Sequence, residues 1–228
     1  MFEKEIEEIK NKYENSLEIT KKLTELYKNY EYNGSKRKNI FYLDIRISET
    51  PETVKKHALR NLDNLIQCNR LESVVKRFNS RNNETSLEEA YKIIENINID
   101  TFYNALTYYQ PYIIRNGREA ETIKTDNKKM FFQSHNNSEG DLLLTLNCIW
   151  LLNNNEVMTS ETESKIIKLI RNNNNTFIFC GCKVTYFKNK KIQILFSDKE
   201  LFNQFTNHIE NGLKNAQNEY NKRNNGAA

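Results

Sequence analysis

The chain predicts an α+β protein: a helical N-terminal half with a long amphipathic first helix, then a small antiparallel sheet with a C-terminal hairpin and a packed helix. Three observations carry this expectation. Phe2, Ile6, Ile9, Tyr13, Leu17, Leu23, Leu26, Tyr27 and Tyr30 recur at helical spacing among Lys and Glu. Aromatic and β-branched residues crowd residues 176–187, and Ile192, Ile194 and Phe196 recur two apart beyond Lys188-Asn189-Lys190, as strands with one buried face do. Leu201, Phe202, Phe205 and Ile209 then return at spacings of three and four, with Ser197 or Asp198 as the cap and Gly212 near the expected end.

Between these ends the elements follow from local signals. The first helix suits docking on the rest of the chain, with a homodimer through this helix as the alternative, because the polar Ser16 and Thr20 interrupt a strict heptad seam. Asn33-Gly34-Ser35 breaks the pattern, and residues 41–47 alternate like a strand. Thr50-Pro51 opens a helix with Val54, Ala58, Leu62 and Leu65 on its buried side. Leu71, Val74, Val75 and Phe78 suggest a second, and Ser86 with Glu89 has capping-box spacing for a third that buries Ala90, Ile93 and Ile94. Asp100 caps another through Tyr109, stopped by Pro111. Residues 112–114 and 130–132 read as strands, residues 116–127 as an exposed polar loop, and residues 142–150 as a strand or a buried helix. Ser160 with Glu163 again has capping-box spacing, ahead of Ile166, Ile167, Leu169 and Ile170. The expected organisation is an N-terminal helix over residues 1–32, a single α+β domain over 33–213 and a polar, frayed tail over 214–228.

Tyr186-Phe187-Lys188-Asn189, the strand Ile192-Gln193-Ile194-Leu195-Phe196, and then Asp198, Leu201 and Phe202 form a recognisable order. This order resembles the C-terminal end of a bacterial domain family of unknown function, found in phage and plasmid proteins and sometimes beside DNA adenine methyltransferase modules. Members of that family place Gly after the turn Asn and His in the second strand, where this chain has Lys190 and Gln193. The resemblance implies a mobile-element setting.

A length of 228 residues suffices for one compact core. The net charge of +4 with 28% charged residues is far from that of a uniformly basic nucleic-acid binder, so such binding requires a local patch. The N-terminal residues lack the basic-then-apolar order of a secretory signal, and the longest apolar stretch, residues 142–152, is too short to span a bilayer. Cys68, Cys148, Cys180 and Cys182 show no CxxC pairing, as expected of reduced thiols in the cytoplasm.

Catalytic signatures are missing: there is no phosphate-binding Gly-rich loop, no HExxH and no GxSxG. With Pro only at 51 and 111, the Asn-Pro-Pro-aromatic motif of adenine methyltransferases is absent too. Nor does an Arg precede His57, His135 or His208 by four to six residues, as a helical ribonuclease would need. Cys180 and Cys182 would share one face if both lay in a strand, but a closed zinc site needs four ligands and no recognised spacing supplies the others, so packing is the expected role and no cofactor is expected. His135 to Asp141 offers an imidazole and two carboxylates, and a small hydrolase is the last of the functional expectations.

Three basic or aromatic clusters point to nucleic acid: Lys36-Arg37-Lys38, then Tyr112 with Arg115 and Arg118, then Lys188, Lys190 and Lys191 at the hairpin tip. Cations neutralise phosphates and exposed aromatic faces stack on bases. The leading expectation is therefore a non-enzymatic accessory protein of a phage or plasmid that binds nucleic acid or a nucleoprotein. The alternative is a protein-binding inhibitor or adaptor, such as an inhibitor of a host defence nuclease. Neither involves a membrane.

Overall fold

The computed structural model describes residues 1–32, 50–78, 85–108, 124–133, 138–172, 175–189 and 191–225. The expected strands at 41–47 and 112–114 lie outside them. The protein is α+β. Its described helices are α1 (Glu3–Tyr32), α2 (Pro51–Cys68), α3 (Leu87–Glu95), α4 (Ile99–Thr107), α5 (Ser138–Asn154), α6 (Ser160–Arg171) and α7 (Lys199–Asn225). Its strands are β1 (Lys124–Asp126), β2 (Lys129–Gln133), β3 (Thr176–Phe179), β4 (Cys182–Tyr186) and β5 (Lys191–Phe196). Among the described residues no helix is long and apolar enough to cross a membrane. The chain divides into two compact units, residues 2–67 with 76–96, and residues 68–75 with 97–228.

The first unit is helical. On α1, Phe2 and Ile6 are buried, and Thr20 is buried as well because its hydroxyl donates to the Ser16 carbonyl at 2.8 Å. An apparent interruption of the apolar seam is thus satisfied within the helix. Lys10 reaches Glu95 at 3.0 Å and lies 4.8 Å from the Tyr91 ring centroid, tying α1 to α3. Thr50 caps α2 as its residue type predicts: the Thr53 amide donates to the Thr50 hydroxyl at 3.3 Å, and the Thr50 amide donates back to the Thr53 hydroxyl at 3.0 Å. The buried side of α2 is Val54, Ala58, Leu62, Asp63 and Ile66, with Leu65 turned half outward. On α3, the Ser86 hydroxyl accepts from the Glu89 amide at 3.1 Å, and Leu87, Ala90 and Ile94 are buried.

Among the described residues of this unit Asp63 is the buried charge, and four donors hold it. Its carboxylate accepts from Arg77 Nε at 3.0 Å and Nη2 at 2.7 Å, from Gln67 at 2.9 Å and from the Phe78 amide at 3.0 Å. Residues 71–78 do not form the helix that their apolar spacing suggests. Leu71 and Phe78 are buried, but Val74 is exposed, and the amides of Val74 and Val75 both donate to the Leu71 carbonyl, closing a single turn.

In the second unit α4 packs on both α5 and α7, and α7 also meets β5. Asn98, not Asp100, caps α4: its side chain accepts from the Thr101 amide, and Thr101 reciprocates. Asp100 sits in the first turn instead, where an acid also favours the helix dipole. Thr159, one residue before the expected Ser160, caps α6 through the Thr162 amide. Residues 142–150 are helical. Every residue from 142 to 149 is buried, the mark of a helix surrounded by core, and its polar members are satisfied. The Thr145 hydroxyl donates to the Asp141 carbonyl at 2.7 Å, and Asn147 accepts from the Met158 amide at 2.9 Å.

The sheet has the order β1-β2-β5-β4-β3 and is antiparallel throughout. β1 occupies the end of the stretch expected to be an exposed loop. The apolar run 176–187 is two strands, not one, because Cys180 (φ 47°) and Gly181 (φ 71°) form a tight turn with Phe179 opposite Cys182. Positive φ at both central residues suits the twist of a two-residue hairpin. Asn127 (φ 42°) and Lys128 (φ 67°) repeat this device between β1 and β2. Met130, Cys182, Val184, Ile192, Ile194 and Phe196 are buried on the core face of the sheet. There Phe196 meets Phe205 at 5.3 Å and Phe202 at 5.6 Å between ring centroids.

Asp198 begins α7 as expected, accepting from the Glu200 amide at 3.0 Å. The helix does not end near Gly212. Gly212 is buried against α4, where a side chain would collide, and α7 continues to Asn225 with Ala216 buried. Arg223 donates to the Tyr108 hydroxyl and its guanidinium lies 5.4 Å from that ring's centroid. Residues 214–225 are thus helical, where the sequence suggests a frayed tail.

Candidate nucleic-acid interface

Strand alternation divides the side chains of the sheet between two faces. Opposite the core face the register aligns two rows. Asp126, Lys129, Leu195, Lys183 and Ile178 form one, and Phe131, Gln193, Thr185 and Thr176 form the other. Lys129, Lys183 and Thr176 are exposed, Gln193, Leu195 and Thr185 are half-buried, and two large apolar side chains are open to solvent, Phe131 at 38% and Ile178 at 71%. Within the second row the hydroxyls of Thr176 and Thr185 bond at 3.3 Å.

The β4–β5 turn lies at one end of this face. The Phe187 amide donates to the Lys191 carbonyl at 2.8 Å, and the Lys191 amide to the Asn189 side chain at 3.2 Å. Phe187 is 40% exposed and Lys188 is exposed. A shallow concavity of about 550 Å³ opens here, lined by Asn175, Thr185, Tyr186, Phe187, Lys188 and Asn189. Among the described residues Lys129, Lys183 and Lys188 enter no ion pair, and Asp126 stands directly opposite Lys129 in the register. Lysine chains reach outward from such a surface while their stems cover apolar neighbours.

Of the residues nominated from sequence, Lys188 and Lys191 come together at this turn. Lys36, Arg37, Lys38, Tyr112, Arg115, Arg118 and Lys190 lie outside the described residues. The structure adds Lys129, Phe131, Lys183 and Gln193. Lys183 alternates with the buried Cys182 and Val184, which is a local signal for a solvent-facing position. Its proximity to Lys129 has no local signal, because β2 reaches β5 from about 60 residues away, a pairing that only folding reveals.

The other candidate centres are arranged differently. Cys180 is in the hairpin turn and Cys182 points into the core, so the two thiols do not share a strand face. Burial, together with a lesser contribution from Cys180, pushes the Cys182 thiol up to about 12, and burial also raises Cys180. Both therefore favour the neutral thiol. Among the described residues no group of three His, Cys, Asp or Glu side chains is placed to hold a metal ion. His135 lies outside the described residues, and Glu139 and Asp141 belong to the first turn of α5, where Glu139 pairs with Arg171 at 3.0 Å. His208 stacks on Tyr103 with ring centroids 4.7 Å apart and bonds Asp100 at 2.9 Å, fastening α7 to the start of α4. No family model matches the chain, and no match is found among curated proteins or solved structures.

Proposed function

We propose that the protein is a cytoplasmic, non-enzymatic accessory protein of a phage or plasmid that acts by binding nucleic acid or a nucleoprotein. One observation supports this reading above the others: a solvent-facing sheet surface on which Lys129 and Lys183 lie either side of Leu195 in one row, with Phe131 in the row beside it, leading to the β4–β5 turn that carries Lys188. Its only acid in the aligned rows is Asp126, at one edge. Phosphate neutralisation and base stacking need this combination of cation and exposed ring. The mobile-element setting comes from the resemblance of the Tyr186-Phe187-Lys188-Asn189 segment and the strand after it.

Affinity isolation from host cells, with and without nuclease, tests the proposal. Nucleic acid is expected to copurify, and associated proteins to disappear after nuclease treatment. A stoichiometric protein that survives the nuclease would instead favour the inhibitor or adaptor reading.

A further inference from the structure

We propose that the open sheet face takes single-stranded rather than duplex nucleic acid, with Phe131 as the platform on which a base stacks. This rests on the nucleic-acid reading above and narrows it. Five strands about 4.8 Å apart span roughly 19 Å, whereas the major groove of a duplex is about 12 Å wide. The sheet lies across such a groove and not inside it, so a duplex offers this face its phosphates and leaves Phe131 without a base to cover it. An unpaired strand presents base faces directly.

The residues around Phe131 fit that partner. Gln193 is directly opposite Phe131 in the register, which places the two side chains about 5 Å apart at their Cβ atoms. A base stacked on the ring therefore lies within reach of an amide that both donates and accepts hydrogen bonds. Lys129 is two residues from Phe131 on the same face, about 7 Å along the strand. Lys183 lies on the far side of Leu195 from Lys129, about 10 Å away across two strand spacings. Lys129 and Lys183 thus share one row, with Asp126 at its edge beside Lys129, parallel to the row of ring, amide and hydroxyls. One row is suited to the backbone of a strand and the other to its bases.

The test uses the full chain and fluorescence anisotropy with a labelled mixed-sequence oligonucleotide, as single-stranded DNA, as single-stranded RNA and as the DNA duplex. Either single strand, or both, is expected to bind at least about tenfold more tightly than the duplex. Phe131→Ala is expected to weaken single-strand binding about tenfold and leave duplex binding unchanged, while Phe131→Tyr retains the wild-type affinity. Thermal denaturation confirms that both variants fold. Equal affinity for duplex and single strand, or an unaffected Phe131→Ala, overturns the single-strand assignment and leaves the broader reading standing. Absence of binding to all three overturns both.

Discussion

Replacing Gly212 by leucine is expected to destabilise the protein by about 3 kcal/mol, through overpacking that the structure cannot relieve. A Cβ at this position would lie 2.7 Å from the Thr107 hydroxyl and 2.9 Å from the Tyr103 carbonyl oxygen. The carbonyl is helix backbone. The hydroxyl is held too, since it donates to that same carbonyl at 2.8 Å inside the core. The remaining response is for α7 to back away from α4, which opens the edge contact of Tyr103 with Phe205 at 5.3 Å and the stacking of Tyr103 on His208. Gly212→Ala separates this account from a simple propensity argument. In an open helix the change stabilises by about 1 kcal/mol, but here it is expected to destabilise by about 1–2 kcal/mol. Urea denaturation of both variants measures the effect, and a more stable Gly212→Ala would contradict the close approach of the two helices.

Asp63→Ala is expected to cost about 2 kcal/mol, because it strands the buried Phe78 amide without an acceptor, while the exposed Gln67 amide turns to water. The Arg77 side chain is 41% exposed and regains water, which keeps the loss below that of a fully buried ion pair. The same site gives a pH dependence. Burial raises the Asp63 pKa, but hydrogen bonds from Arg77, Gln67 and the Phe78 amide outweigh it and hold the carboxyl below its ordinary value of 3.8. A folded value below the unfolded one means that the contribution is fully present above the unfolded value and is lost as pH falls through the folded value. Wild-type stability should therefore decline more steeply than that of Asp63→Asn as pH drops below about 4. Parallel slopes for the two proteins would remove Asp63 from the acid response.

The legible parts of the fold are those written within a few residues. Thr50-Pro51 and Ser86 with Glu89 announce helix starts because the capping side chain and its amide are three positions apart. Asn98 is overshadowed by Asp100, an acid equally suited to a helix start two residues on, and the hydrogen bonds alone decide between them. The Cys180-Gly181 turn is hidden by its first residue. Asn or Gly in that position would signal a two-residue hairpin, whereas Cys in the left-handed region reads as continuing strand. Gly212 has the residue type of a helix end, and only the distance to α4 shows that it marks a close crossing.

The candidate interface is legible where charge and turn coincide, at Lys188 and Lys191. It is illegible across the sheet. Lys129 and Lys183 become neighbours of Leu195 through pairings that join distant parts of the chain, and no local window contains all three. Phe131 alternates with the buried Met130, so its outward direction follows once β2 is placed, but its role as the ring of a basic face depends on β5 lying beside it.

The most direct test of the central claim is the salt dependence of nucleic-acid binding by the wild-type protein and by a Lys129→Glu, Lys183→Glu double variant. Wild-type affinity should fall linearly on a log–log plot. The variant should bind weakly, with a slope reduced by about 1.4, or about 0.7 for each single-strand phosphate that it no longer neutralises. An unchanged slope and affinity in a folded variant would contradict the assignment of this face as the nucleic-acid surface.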